Sequence, residues 1–182
     1  MNETSDPTTL GEAFVSESRR QLAESVALIR HCLGQLDDDE VWRRPRDDMN
    51  SIANLLLHLA GNLRQRFQAV ISGDPDDRNR FGEFTERSAI PKADLLGRFE
   101  DSAGKADAAL AKLAPEQLVE TRRYMLLAGS EEKSVLGIVI QALTHLNGHA
   151  QEILHLTRMQ LGDRYAFRQP GGVPPEMRTN RG

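Results

Sequence analysis

Apolar residues recur at spacings of three and four along four stretches of the chain, the period of an amphipathic helix. The first stretch is opened by a capping box of Thr9 and Glu12. The second starts after an N-cap at Asn50 or Ser51 and stops at Gly73. The apolar positions are Val15, Leu22, Val26, Ile29, Leu33 and Leu36 in the first, and Ile52, Leu56, Leu59, Leu63, Phe67 and Val70 in the second.

The third stretch starts near Pro91, a residue suited to a first helical turn, and ends before Pro115. The fourth has an N-cap at Ser130 and closes at Gly162. Their apolar-face positions are Leu96, Phe99, Ala103, Ala106, Leu110 and Leu113, then Val135, Val139, Ala142, Leu146, His149, Ile153 and Leu156. Four helices of roughly 20 to 30 residues with this period bury their stripes best against one another, so the pattern predicts an all-α four-helix bundle.

The segments between the predicted helices differ in length and charge. Residues 37–49 are highly charged, which is typical of a solvated loop. Residues 73–90 are polar and long enough to cross the bundle from end to end, and residues 119–127 fit an extended segment better than a helix. The Pro- and Gly-rich residues after Gly162 cannot form a regular helix. We therefore predict a bundle domain over residues 1–162 and an irregular C-terminal tail over residues 163–182, either draped on the body or loose.

Composition agrees with a single helical domain. The 182 residues include 39% hydrophobic but only 5% aromatic residues, so the core rests on Leu, Ile, Val and Ala. A net charge of -4 gives no general attraction to nucleic acid or anionic membranes. No signal peptide and no long apolar segment is recognisable, and we expect a cytoplasmic protein. Cys32, the one cysteine, fits a buried small side chain better than a nucleophile.

The histidines carry the candidate chemistry. His149 occupies a position in the fourth apolar stripe, and His145 lies only about 40 degrees away on the same helix. His58 borders the stripe of the second helix and can also point inward, whereas His155 turns away from the bundle. Each buried imidazole without a partner costs on the order of 1 to 3 kcal/mol, so something must satisfy the three inward ones.

One divalent metal satisfies all three imidazoles at once, leaving at least one coordination position open. The alternative is that each histidine finds its own backbone carbonyl, carboxylate or solvent. A third inward-facing histidine on a separate helix favours the metal. Zn, Ni, Fe and Mn all accept imidazole, so the metal's identity stays open.

Two segments resemble the DinB-like (YfiT-like) family of bacterial four-helix-bundle metalloproteins: SIANLLLHLAGNLRQRF from Ser51 and HLNGHAQEIL from His145. Matched onto this chain, the resemblance places the metal triad on His58, His145 and His149. It also implies an up-down-down-up bundle, which the long crossover at 73–90 suits, and a homodimer. It implies no DNA chemistry.

Three polar residues lie one helical turn from the triad and could orient a ligand or bound water: Asn62, Gln141 and Glu152. Glu152 is also the candidate catalytic general base, although a solvated surface role is commoner for such a residue.

Two reactions suit a three-histidine metal site, and the resemblance favours the second. In the first, metal-activated water hydrolyses a small substrate. In the second, a low-molecular-weight thiol cofactor binds as thiolate and attacks a small electrophile, making the protein an S-transferase. Arg43, Arg44, Arg64 and Arg66 are candidate holders of a carboxylate on that thiol, although surface roles are commoner. A metal-binding or dimerising stress protein without turnover is the non-enzymatic alternative.

Overall fold

Four long helices and a β-hairpin make up the fold, and the computed structural model describes residues 9–126 and 129–174. The helices are α1 (Leu10–Leu33), α2 (Asp38–Trp42), α3 (Ile52–Leu63), α4 (Arg80–Thr85), α5 (Lys92–Ala111) and α6 (Val135–Leu161). Strands β1 (Thr121–Leu126) and β2 (Gly129–Ser134) pair antiparallel, with Thr121 opposite Ser134 and Leu126 opposite Gly129. Short 3₁₀ turns cover Pro115–Val119, Gly162–Arg164 and Pro170–Gly172.

The predicted helix starts of α1 and α3 are confirmed. Thr9 and Glu12 form the capping box, each side chain bonding the other residue's backbone N–H. Ser51 is the N-cap of α3 and accepts from the backbone N–H of Asn54. These contacts satisfy donors that the first turn of a helix leaves free. The predicted closing glycine of α6 is also confirmed, since Gly162 has a φ of 52°, a conformation that suits glycine.

The helix that begins as α3 does not end at Leu63. It continues as a π-helical segment, Arg64–Ile71, in which the backbone N–H of Ser72 bonds the carbonyl of Phe67 at 3.0 Å. Each turn of a π-helix contains more residues than an α-helical turn, and such segments are frequent at functional sites. Both Arg66 and Phe67 are buried in it, although they are neighbours in the chain.

The core is built from the predicted stripes. In α6, all the predicted apolar positions apart from His149 are buried: Val135, Val139, Ala142, Leu146, Ile153 and Leu156. In α5, Leu95 is buried where Leu96 was expected, and Leu96 packs partly against the core. Cys32 is fully buried, as expected. Within the described ranges, no helix is both long and apolar enough to cross a bilayer.

The ion pairs along α1 fix the direction of α5. Arg19 pairs with Asp107 at 2.7 Å, and Arg30 pairs with Glu100 at 2.6 Å. A residue late in α1 thus meets one early in α5, so the two helices are antiparallel.

Contacts beyond the end of α6 show that it runs parallel to α1. The carbonyl of Ala166 accepts from His31, in the last turn of α1, and its backbone N–H donates to Gln35, just beyond that helix. Helix α3 runs the other way, because Arg66, in the continuation of α3, stacks over Tyr124, which precedes α6. The order is therefore up-down-down-up, as the family resemblance implied, and the all-α bundle is confirmed with the hairpin as a small addition.

Three local expectations differ from the structure. Ser130 is not the N-cap of the fourth helix: residues 129–134 form β2, and Ser134 caps α6 by accepting from the N–H of Gly137. The charged segment 37–49 is not all loop, because Asp37 and Glu40 form a capping box that opens α2. The crossover contains α4, capped by Asn79.

The described part of the C-terminal tail lies on the body. Tyr165 is buried, and Arg164 pairs at 2.7 Å with Glu40, a carboxylate that is only 5% exposed. The tail prediction for residues 175–182 lies outside the described residues, as do residues 1–8 of the predicted domain. The division at residue 162 stays a prediction.

Candidate metal centre

Three imidazoles converge where α3 faces α6. His58 comes from α3, and His145 and His149 come from successive turns of α6. One nitrogen from each ring can be chosen so that all three lie within 4.8 Å of one another. The Nε2 atoms of His58 and His145 are 2.8 Å apart, near the separation of roughly 3 Å expected of two nitrogen ligands on one metal.

Glu83 fixes the orientation of His58. Its Oε2 lies 2.8 Å from His58 Nδ1, and both side chains are buried. An ionised carboxylate only accepts hydrogen bonds, so Nδ1 carries the proton and donates it. The lone pair of His58 is then on Nε2, the atom that faces His145. A carboxylate behind a ligand imidazole is the usual support of a metal-binding histidine.

Arg78 compensates the buried charge of Glu83. Its Nε donates to Glu83 Oε1 at 2.8 Å and its Nη2 donates to Oε2 at 2.9 Å, a bidentate pair. Its Nη1 donates to Gln65 at 2.9 Å, which ties the crossover to the continuation of α3. Neither Arg78 nor Glu83 was predicted as a site residue, because they lie in a polar segment without periodicity.

Gly61 lets Glu83 approach α3. A Cβ added at position 61 would lie 2.0 Å from Glu83 Oε1 and 2.9 Å from its Cδ. Only glycine leaves room for the carboxylate where it now contacts His58 and Arg78.

Glu152 supports His149 in the same way. Its Oε2 lies 2.7 Å from His149 Nδ1, so this ring also presents Nε2 to the centre. The side chain of Glu152 is 39% exposed. Its catalytic role stays a prediction. His155 is exposed, as expected.

Burial favours the neutral form of His58 and of His145. Burial, together with His149 and His58, lowers the pKa of His145 to about 4. Burial also lowers the pKa of His58, and outweighs the opposite effect of Glu83. For Glu83, burial by itself raises the pKa, but hydrogen bonds from Arg78 and His58 outweigh it and hold the pKa below its ordinary value. Near neutral pH, the centre therefore offers neutral imidazoles at His58 and His145, and carboxylates lie behind His58 and His149, a donor set that fits a divalent cation.

A cavity of about 540 Å³ opens beside the centre, with His58 and His145 in its wall. Asn62 and Gln141, predicted to support the triad, line this cavity. The bonds of Gln141 go to Tyr124 at 3.0 Å and Lys133 at 3.2 Å, away from the histidines.

The four candidate arginines are in different places. Arg66 lines the cavity beside the histidines. Arg64 pairs with Asp77 at 3.0 Å, and Arg44 donates to Asn54 at 2.8 Å. Arg43 lies with Arg44 in a separate surface depression near Trp42.

Comparison with known proteins agrees with this architecture. Residues 9–168 match the model of a family described as protein of unknown function (DUF1572). The chain belongs to this family. No curated protein matches the chain.

Two solved structures are similar in fold. A conserved protein from Enterococcus faecalis superposes with a TM-score of 0.66 at 16% identity, covering 81% of this chain and 96% of that one. YfiT from Bacillus subtilis, described as a probable metal-dependent hydrolase with an unusual four-helix bundle topology, gives a TM-score of 0.65 at 17% identity, covering 88% and 95%. The resemblance to a DinB-like (YfiT-like) bundle is thus confirmed, and at this identity the likeness concerns the fold.

Replacing Gly61 with alanine is expected to displace Glu83 and break its buried contacts with Arg78 and His58. We expect the free energy of unfolding to fall by about 1 to 3 kcal/mol, because buried polar groups lose their partners. Gly104→Ala is the matched control, since it is an exposed helical glycine with open space at its Cβ. That change should stabilise by about 0.5 to 1 kcal/mol. Urea denaturation measures the free energy of unfolding of both variants. An equal change in the two variants would contradict the role assigned to Gly61.

The metal-free protein should lose stability as the pH falls from about 6.5 to about 4. His145 has a pKa of about 4 when folded, below its ordinary value, so protons bind the unfolded chain more tightly in this range. We expect a loss of about 2 kcal/mol, measured by urea unfolding of chelator-treated protein at a series of pH values. His145→Asn should flatten this part of the profile. An unchanged slope in that variant would contradict the assignment.

Proposed function

We propose that the protein is a divalent-metal enzyme that binds its metal through His58, His145 and His149 and acts on a small molecule. The observation that carries the proposal is the convergence of three imidazole nitrogens within 4.8 Å, with His58 and His145 in the wall of a cavity. Separate acceptors alone would satisfy each ring without bringing the three together. Here two of the rings are held by carboxylates at Nδ1, and Nε2 is left directed at the shared centre.

The chain's own residues prepare the centre for this role. Glu83 and Glu152 hold His58 and His149 in one tautomer, and Arg78 keeps Glu83 ionised. A bound divalent cation would supply Lewis acidity, which lowers the pKa of a coordinated water or thiol towards neutrality. The cavity gives a substrate access to the open side. Zn, Ni, Fe and Mn all suit imidazole ligands.

Hydrolysis of a small substrate is the first candidate reaction. It is supported by the likeness in fold to YfiT, which is described as a probable metal-dependent hydrolase. In this reaction, the nucleophile is water, and Glu152 is the candidate general base because its carboxylate lies next to a ligand and is partly exposed.

Transfer of a low-molecular-weight thiol to a small electrophile is the second candidate. It is supported by the cavity of about 540 Å³, which has room for a thiol beside a small electrophile. In this reaction, the thiol loses its proton to solvent, a carbon–sulfur bond forms, and the leaving group departs with the electron pair of the bond that breaks.

Elemental analysis of protein purified without a histidine tag tests the metal. We expect about one divalent metal per chain, and we expect asparagine at position 58, 145 or 149 to weaken metal affinity at least about 100-fold in chelator competition. His155→Asn is the matched control, because His155 is exposed on the same helix as His145 and His149. Absence of metal from the wild-type protein, or full retention of metal by His149→Asn, would contradict the proposal.

Turnover assays then separate the two reactions. One assay follows hydrolysis of chromogenic esters, amides and phosphoesters, and the other follows consumption of several bacterial thiols with an aryl halide. We expect one assay to show a rate that a chelator removes, that added metal restores, and that His149→Asn lacks. If neither assay shows such a rate, the metal centre is not enzymatic and the binding-protein alternative replaces this proposal.

A further inference from the structure

Arg66 is a buried cation with free donors. The residue is only 6% exposed, and its Nε and Nη1 lack a hydrogen-bond acceptor among the residues that the structure describes. Buried arginines are ordinarily paired with carboxylates, because an unpaired charge in the interior is unfavourable. Something outside the described chain is therefore needed to complete this site.

Tyr124 and Glu131 lie beside Arg66, but neither accepts a hydrogen bond from its Nε or Nη1. Its Cζ lies 4.1 Å from the ring centroid of Tyr124, a cation–π contact that fixes the plane. The carboxylate of Glu131 also attracts Arg66, yet it accepts from the hydroxyl of Tyr124 at 2.8 Å and pairs with Lys133 at 2.9 Å. Burial is the main influence on the guanidinium and lowers the pKa of Arg66.

Arg66 belongs to the wall of the cavity that also contains His58 and His145. Two other charged groups of this wall have polar partners: Arg78 is neutralised by Glu83, and Asp76 accepts from Gln65 at 2.7 Å. Arg80 has a cation–π contact with Phe84 and is less buried than Arg66. The cavity thus combines a candidate metal centre with a cation of unused hydrogen-bonding capacity.

We propose that Arg66 binds an oxyanion, a carboxylate or a phosphate, carried by the small molecule on which the metal centre acts. This inference rests on the proposed function, and it adds the chemical class of the ligand. The molecule extends across the cavity: its oxyanion meets the guanidinium of Arg66, and its reactive group faces the histidines. Neutral molecules of the same size leave the guanidinium unpaired and bind more weakly.

Anion titration of the metal-loaded full chain tests the inference in an oxyanion-free chloride buffer. The probes are inorganic phosphate and succinate, and calorimetry and the thermal midpoint are measured for each. We expect at least one probe to bind and raise the midpoint, and we expect Arg66→Met to raise its Kd at least about tenfold. Arg64→Met is the matched control, since Arg64 lies two residues away and pairs with Asp77 at the surface. Arg64→Met should bind each probe with the same Kd as the wild type.

Further measurements exclude a structural or metal-bound explanation. Without anion, Arg66→Met should melt no lower than the wild type, because it removes an unpaired buried charge and keeps an apolar stem. Arg66→Lys, which keeps the charge but loses the fixed donors, should raise the Kd less than Arg66→Met does. Chelator-treated protein should retain the Arg66-dependent binding.

The outcomes separate the ligand types and the two proposals. Tighter phosphate binding indicates a phosphorylated substrate, and tighter succinate binding indicates a carboxylate. Absence of binding by both probes, equal affinity in Arg66→Met, or a lower midpoint of that variant without anion overturns the inference. Elemental analysis of the same samples reports on the metal separately, so that failure of the proposed function is recognised independently of the anion results.

Discussion

The hydrogen bond between Glu83 and His58 is the contact on which the geometry of the centre depends. It joins the crossover to α3 and fixes the proton on Nδ1, so the lone pair of His58 faces the other two histidines. Glu83 is only 8% exposed, and its charge is tolerated there because Arg78 pairs with both carboxylate oxygens. If this pair moved, His58 would lose both its orientation and its tautomer.

The topology of the bundle explains why the crossover can supply these groups. Because α3 and α5 both run opposite to α1, the chain must return along the bundle between them. The return path lies against α3, where Asn54 donates to the carbonyls of Glu83 and Glu86 at 3.0 and 3.3 Å. A bundle with short connections would have no segment at this position, so the connection that the topology requires also completes the environment of His58.

Much of the architecture could be predicted from the sequence because the buried stripes are regular. The spacing of four placed His145 and His149 on one face, and the position of His58 at the edge of its stripe directed it inward. The role of Glu83 could not be predicted, because α4 has only six residues and its place depends on tertiary contacts. The cap of the fourth helix lies at Ser134 and not at Ser130, because pairing with β1 holds residues 129–134 in an extended strand.

The α-helical period already separates two of the candidate arginines, because Arg66 follows Leu59 by seven residues and Leu63 by three and so shares their face. The π-helical segment Arg64–Ile71 changes the angle between successive residues just before Arg66. Arg66 lies with Phe67 on the buried side, and Arg64 lies at the surface.

This π-helical segment changes the angle at which residues after it point, relative to the residues of α3 before it. His58 lies upstream of it, anchored by α3, while the side chains downstream take their direction from the number of residues in the wide turns. A one-residue insertion or deletion between 64 and 71 would therefore exchange the groups presented to the cavity without rotating His58. The groups that line the cavity could in this way change while the face that carries the three histidines is preserved.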